Sequence, residues 1–553
     1  MKNIVKTENY EKLLETIGDI LANIPNQEWE IEGPYGAKKI FKVKSMSIGI
    51  ISKVEKQYLI NNYSIDKIET ITDKSMLIRI WIKNRYKTIQ IMIKNENDVV
   101  TLDPENFRIY FHQNIAVWIN EAFREFFSSE KKESKFSWRT NDPAETYIEK
   151  FRVAADISDE TIQAAKKMNH RIHAKIQEVR EANTNISKSV SVFLFADTEG
   201  RRILTKKNDF FSIDTAIKLI NKQNYEIVTS ASAYTKTEKE LQKKIKKTFT
   251  KMQKTVKEYE KIHQLETGWY PILMHPDGVH TYLHEGIAGH SLSGKYIVDE
   301  EAMVFQSLDK DYSLDSRFEM LKLLKIENKP NLSDTIATYT FDHEGIRAKD
   351  TILMDRGKVV DYLTDRNSAY RLGRKTSNGS SLTAAFTRKK EKDDTDNDDD
   401  SEIIITEPEP RISNLICTSY SKKSEKQLRK DLIKFCKKEN REFYLEIWAK
   451  EGEVNIKDSI FNMTIEKCDI VDIHDGSCKR VHGGILAGNL FEFIATIHGI
   501  SKEMEVDNGL CDARSGYVPI HGKTPYISFS KLHFIATKKP ERKNMKLNPK
   551  FVP

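Results

Sequence analysis

An α+β fold is predicted by two patterns in the 553-residue chain and by its composition. Runs of β-branched residues that partly alternate with polar ones recur from end to end, and stretches with apolar residues three or four apart stand between them. Apolar residues make up 39% and charged residues 31%, the balance of a globular chain with a core to bury. Such a length exceeds one small domain. It divides into an N-terminal α+β unit (1–130), a central α+β unit (131–265) ending in a long amphipathic helix, and a β-rich C-terminal domain (266–553) with a twisted antiparallel sheet and a histidine-bearing helix.

The first unit opens on a helix near Tyr10–Leu21, where Leu13, Leu14, Ile17, Ile20 and Leu21 recur at helical intervals. Lys39–Lys44, Ile48–Ile51, Met76–Ile82 and Thr88–Ile93 then read as strands, and Phe107–Phe127 as a helix. No residue here suggests chemistry. In the second unit, helical patterning from Glu145 to about Glu181 leads to a hairpin, Val190–Asp197 and Arg201–Leu204, and to a strand at Tyr225–Ala231. Leu241, Ile245, Phe249, Met252, Val256, Tyr259 and Ile262 then form one apolar stripe with lysines opposite, a solvated helix face.

The third unit begins with a strand, Tyr270–Met274, followed by the histidine helix. Thr335–Tyr339 and Thr351–Leu363 read as strands, the latter with a glycine-bearing hairpin turn. The acidic run Glu391–Glu402 reads as a disordered surface insertion; it lacks the glycine and terminal glutamate of a calcium loop. A short helix with Leu428, Leu432 and Phe435, a strand Phe443–Trp448 and further strands to Phe534 follow, interrupted by a helix around Leu490–His498. Cys511 is expected in a loop.

Charge and cysteine content exclude several classes. A formal charge of +7 spread over so long a chain permits nucleic-acid binding without indicating it, and no nucleic-acid or membrane partner is expected. No eighteen apolar residues run together, and Met1–Glu8 lacks the apolar core of a secretion signal, which leads to the expectation of a cytoplasmic protein. Five cysteines without a C-x-x-C pair suit a reducing compartment.

Chemistry concentrates in Leu283-His284-Glu285-Gly286-Ile287-Ala288-Gly289-His290, two imidazoles and a carboxylate within seven residues of a chain with fourteen histidines. A neutral imidazole is the commonest protein ligand for a divalent transition metal, and a neighbouring carboxylate can act as general base. The two histidines are six apart, which in an unbroken α-helix turns the second by about 240° from the first. Sharing a metal therefore requires a broken or widened helix, for which Gly286 and Gly289 are placed, or the pair His280 and His284, four apart. The same spacing also fits a surface helix that merely carries histidines.

From about Val190 onward the chain resembles the TldD/PmbA family of metallopeptidases, in its metal-bearing TldD branch. The histidine helix resembles the family's His-Glu-x-x-x-His, and Asp342-His343-Glu344-Gly345 resembles its Asp-Asp-Glu-Gly. Tyr362-Leu363-Thr364-Asp365-Arg366 resembles Tyr-Leu-x-Asp-Arg, Thr376-Ser377-Asn378-Gly379 resembles Thr-Gly-Asn-Gly, Pro410-Arg411-Ile412-Ser413-Asn414 resembles Pro-Arg-Met-Thr-Asn, and Gly509-Leu510-Cys511 resembles the late Gly-x-Cys. The resemblance implies metal ligands His284, His290 and Cys511, Glu285 as catalytic base, one divalent metal per chain with Zn2+ preferred, and a peptide substrate bound extended in the enclosed cavity of a homodimer or of a heterodimer with a family paralogue. Two imidazoles and a thiolate suit zinc and leave one tetrahedral position for water. This chain departs from the pattern in spacing its histidines six apart where the family has five, and in Ser377, Ser380 and Ser381. Either the helix ends at Gly289 or His280 takes part. The alternative function is a catalytically silent subunit that only builds the cavity.

Overall fold

The computed structural model describes residues 4–33, 36, 38–62, 64–82, 85–93, 103–128, 140–302, 304–384, 386–389, 402–538 and 540. The acidic run lies outside the described residues except for Glu402, which opens a short strand paired with Phe386–Lys389.

The first half is built on one seven-stranded sheet with helices on it, beside two short pairings, Ile4–Lys6 with Arg152–Ala154 and Glu28–Glu32 with Lys38–Lys42. Helix α1 (Glu8–Ala22) buries Leu13, Leu14, Ile17 and Leu21, as its i, i+3, i+4 spacing requires. Strands β1 (Ser45–Asn61), β2 (Ser64–Ile82) and β3 (Arg85–Ile93) run antiparallel, and alternate residues Ile48, Ile50, Ile78 and Ile80 meet α1 and α2 (Pro104–Ser128) in a common core. Helix α3 (Asp159–Lys175) starts where the Ser158 hydroxyl accepts from the Thr161 amide. Strands β4 (Val179–Asp197), β5 (Arg202–Ile220) and β6 (Glu226–Thr235) follow, then α4 (Glu238–Glu258), opened by a Thr237/Glu240 capping box. The helical patterning expected over 145–181 is thus confined to α3. Thr146–Ile148 is a strand against β5, and the chain already enters β4 at Val179.

Strand β1 pairs antiparallel with β4 from Ser47↔Asp197 to Asn61↔Asn183, so the six long strands run β6-β5-β4-β1-β2-β3. The segments 1–130 and 131–265 therefore share one sheet.

The second half is built on an eleven-stranded mixed sheet, largely antiparallel. Its strands are β7 (Gly268–Met274), β8 (Leu324–Asn328), β9 (Thr351–Asp355), β10 (Lys358–Val359), β11 (Asn414–Ser419), β12 (Phe443–Asn455), β13 (Ile460–Asp472), β14 (Cys478–Val481), β15 (Ile485–Asn489), β16 (Ile497–Cys511) and β17 (Val518–Ile535). The order is β7-β12-β13-β15-β17-β11-β8-β9-β10, with β14 on β13 and β16 on β17; β7–β12 and β11–β17 are parallel. The hairpin read in 351–363 is present as β9–β10, turning through Arg356 and Gly357, both at positive φ. Thr335–Tyr339 forms turns instead of a strand: Asp334 takes φ +62°, and the Tyr339 hydroxyl is drawn to the carbonyl of Gly379 at 2.9 Å. No described helix is long and apolar enough to cross a membrane.

The two sheets meet through buried contacts. Phe341 packs among Ile51, Phe193, Phe195 and Ile203. Arg79 of β2 donates to Glu344 at 2.5 Å, and Arg366 reaches Glu199 at 3.1 Å. Gly345, at φ +70°, sits so close to the Phe195 ring that a Cβ would lie 2.5 Å from it.

Candidate metal centre

Strand β7 ends at Met274 and feeds α5 (Pro276–Thr281), whose Pro276 suits the first helical turn. The helix then widens to π geometry over Tyr282–Ala288, and the Gly289 amide donates to the His284 carbonyl at 2.8 Å, five residues back. Glycine at 289 is required by this closure, since a Cβ there would stand 2.7 Å from that carbonyl oxygen. Tyr282, Leu283, Ile287 and Ala288 anchor the turn in the core of the large sheet.

On this platform the polar groups converge. Strand β16 runs antiparallel to β17 and delivers Cys511 at its last residue, opposite Val518. Cys511 is therefore at a strand end, buried, where a loop was expected. Its Sγ lies 3.3 Å from Glu285 Oε1, and ligand atoms of His284, Glu285 and Cys511 all fall within 4.8 Å of one another. His284 Nε2 lies 3.8 Å from Glu285 Oε1. His290 stands on the other side of the carboxylate, Nε2 to Oε2 at 2.9 Å, and is outside the three-residue cluster. His280 points its Nδ1 to Asp507 at 3.2 Å, with its ring 5.7 Å from that of His284, edge to face.

Electrostatics follow from burial. Desolvation pushes the His284 imidazole down to about 3, which keeps it in the neutral form a metal ligand needs. Glu285 feels burial upward, but the His290 hydrogen bond and the two neighbouring imidazoles win and hold it at about 2. Burial pushes the Cys511 thiol up to about 12; the Arg411 guanidinium opposes this and Glu285 reinforces it. Arg411 was visible only as part of a motif. Its Nη1 donates to Ser515 Oγ at 2.7 Å and its Nη2 to the Cys511 carbonyl at 2.9 Å, fixing the loop that carries the thiol.

A divalent ion suits this donor set. The buried Nδ1 atoms of His284 and His290 have no hydrogen-bond partner, and imidazole plus sulfur is a set preferred by zinc-type ions.

Comparison with known proteins agrees with this architecture. Residues 267–536 match the family described as PmbA/TldA metallopeptidase C-terminal domain. Over 262 residues the chain is 22% identical to a metalloprotease of Methanothermobacter thermautotrophicus, covering 47% of this chain and 49% of that protein; the chain thus spans about half the length of this curated relative. Among solved structures, a candidate modulator of a DNA gyrase from Thermotoga maritima aligns with TM-score 0.59 at 14% identity, over 89% of this chain and 96% of that one. TldE from Thermococcus kodakarensis aligns with TM-score 0.58 at 13% identity, over 89% and 97%. The fold is TldD/PmbA-like.

Proposed function

We propose that the chain is a metal-dependent peptidase of the TldD type, with one divalent ion, Zn2+ by preference, held by His284, His290 and Cys511, and Glu285 as general base. The observation that carries this reading is the arrival of the Cys511 sulfur beside the His284–Glu285 pair across 226 residues of chain. A bound ion would supply Lewis acidity to the scissile carbonyl and to the attacking water. Glu285 then takes the proton from the water and returns it to the leaving amine, its second oxygen steadied by His290. A thiolate ligand donates more charge than a carboxylate, so slow cleavage of small or unfolded peptides is expected. The peptide lies extended in the cavity of a cytoplasmic homodimer or heterodimer with a paralogue.

The competing reading, a catalytically silent partner subunit, is favoured by one observation: His290 contacts Glu285 but stands outside the His284/Glu285/Cys511 cluster. Metal content of purified protein and of the Glu285→Gln variant separates the two. The peptidase reading expects about one zinc per chain in both proteins, and a loss of cleavage of about 10³-fold in Glu285→Gln. A metal-free wild type supports the silent subunit. Loss of metal in Glu285→Gln makes Glu285 a ligand, and cleavage at the wild-type rate removes it as the base.

A further inference from the structure

Lys207 lies in β5, where the register against β4 slips between Lys207 and Phe210 and Asn208 takes φ +51°. A bulge of this kind re-aims a side chain. Here it leaves Lys207 only 4% exposed, with its ammonium over the rings of Phe193 at 4.6 Å and Tyr339 at 5.2 Å, and with no hydrogen-bond partner for Nζ. Asp342 is its electrostatic neighbour but forms no ion pair with it among the described residues. That carboxylate is already occupied by the backbone amides of Glu344, Ile346 and Ser381. Burial lowers the Lys207 ammonium to about 7 against the pull of Asp342, so its charge is costly here, and a ligand that supplies an acceptor recovers that cost on binding.

A second donor stands beside it. His343 Nδ1 accepts from the Thr383 amide at 3.1 Å, which leaves the ring proton on Nε2. Burial keeps this imidazole uncharged. Lys207 and His343 line one cleft with Tyr339, Thr383, Val518 and Pro519, partly open to solvent and with about 20 Å³ of room. That is the space of about one water, or of one carboxylate oxygen.

The cleft adjoins the metal centre. Val518 pairs with Cys511, and the Thr383 hydroxyl donates to the Ser515 carbonyl at 3.2 Å. Arg411 in turn joins Ser515 to Cys511. The cleft and the thiol thus share the short loop between β16 and β17.

We infer that Lys207 and His343 form a carboxylate-binding subsite, which holds either the C-terminal carboxylate of a peptide or an Asp or Glu side chain a few residues from the scissile bond. The inference rests on the peptidase reading for the identity of the ligand.

The test is fluorescence anisotropy with labelled peptides on the Glu285→Gln protein, in which cleavage is expected to be about 10³-fold slower, alongside kcat/KM on the wild type. Peptides are paired as free acid against C-terminal amide, and as Glu against Gln at each position. Binding about 10-fold tighter for the acid form is expected, equivalent to about 1.4 kcal/mol. The pair that discriminates identifies which carboxylate is held. Lys207→Met and His343→Asp, each checked by thermal melting, should abolish the discrimination; if Lys207→Met does not fold, His343→Asp decides. Equal affinities for every pair in the parent protein, or discrimination that survives in a folded variant, overturns the subsite. Discriminating binding with no wild-type cleavage overturns the peptidase and keeps the subsite, whereas cleavage without discrimination does the reverse.

Discussion

The two sheets obey different rules. In the first, strands of up to nineteen residues pair in long ladders, and their alternate apolar residues face helices whose stripes were made to cover them. In the second, short and long strands are mixed, and the chain between β7 and β8 is largely turns and short helices. The contrast is sharpest in residues 280–293, where His280, Tyr282, His284, His290 and Ser293 each bury a polar atom without a partner. Among the described residues of β1–β3, Ser75 and Thr88 hold such atoms. Orphaned polar atoms cost stability, so a stretch that concentrates them in a well-packed core is set up to receive something. The first sheet scatters such atoms along its strands, on Asn185, Ser189 and Lys207 among others, whereas the turn at the candidate site gathers them in one place.

This division is broken most severely at the junction. Arg79 and Glu344 are buried at 9% and 8% exposure and belong to different halves of the molecule. Arg79→Met leaves the Glu344 charge without its partner and is expected to destabilise by about 3–5 kcal/mol, whereas Arg79→Met with Glu344→Gln should recover much of the loss. Chemical denaturation measures the energies, and regional hydrogen exchange shows where protection falls. Loss of protection in both sheets means that they unfold as one unit. Loss confined to β2 and its neighbours would mean that the two halves hold separately.

A smaller effect separates the strained turn from its surroundings. At Gly289 an added methyl meets the His284 carbonyl at 2.7 Å, whereas at Gly286 it meets the movable end of Leu490 at 2.8 Å. Gly289→Ala should therefore weaken metal binding by about 100-fold and Gly286→Ala by much less. Zinc titration of both variants checks this, and equal affinities would show that π geometry is not what assembles the ligands.

The first sheet was also the more legible of the two. Period-two alternation marks Ile48, Ile50, Ile78 and Ile80 as one face, and helical spacing marks α1 and α4, because both signals are local. The pairing of β1 with β4, over 120 residues apart, has no local signal and was not readable. Nor was the length of β4 and β5: the polar residues of 179–189 and 205–209 hide strands whose burial comes from packing on other elements. At the candidate site the residue types were readable and the geometry was not. The six-residue spacing shows that an α-helix must fail, but a π turn, a helix end and a substitute role for His280 all satisfy it. Only the packing of Tyr282 and Ile287 into the large sheet selects the π turn. Lys207 could not be found at all, since a lysine among polar neighbours in a strand gives no sign that a bulge turns it inward.

The smallest expected effect asks whether the junction itself titrates. Burial and the nearby Glu344 charge push Asp365 up to about 6 from its ordinary 3.8, although its own hydrogen bonds from Ser368 oppose the shift. A carboxyl raised in the folded state binds its proton more tightly there than in the unfolded chain. Its contribution to stability is complete below about pH 4 and is lost as pH rises through 6. Asp365→Asn removes this contribution while keeping an N-cap residue for the helix Arg366–Arg371. Relative to wild type, the variant should be less stable at pH 4 and gain on it by pH 7, a change of about 2–4 °C in the Tm difference. Thermal melts at matched ionic strength measure it. If the difference between the two proteins is the same at both pH values, Asp365 titrates alike in the folded and unfolded chain, and burial at the junction does not raise it.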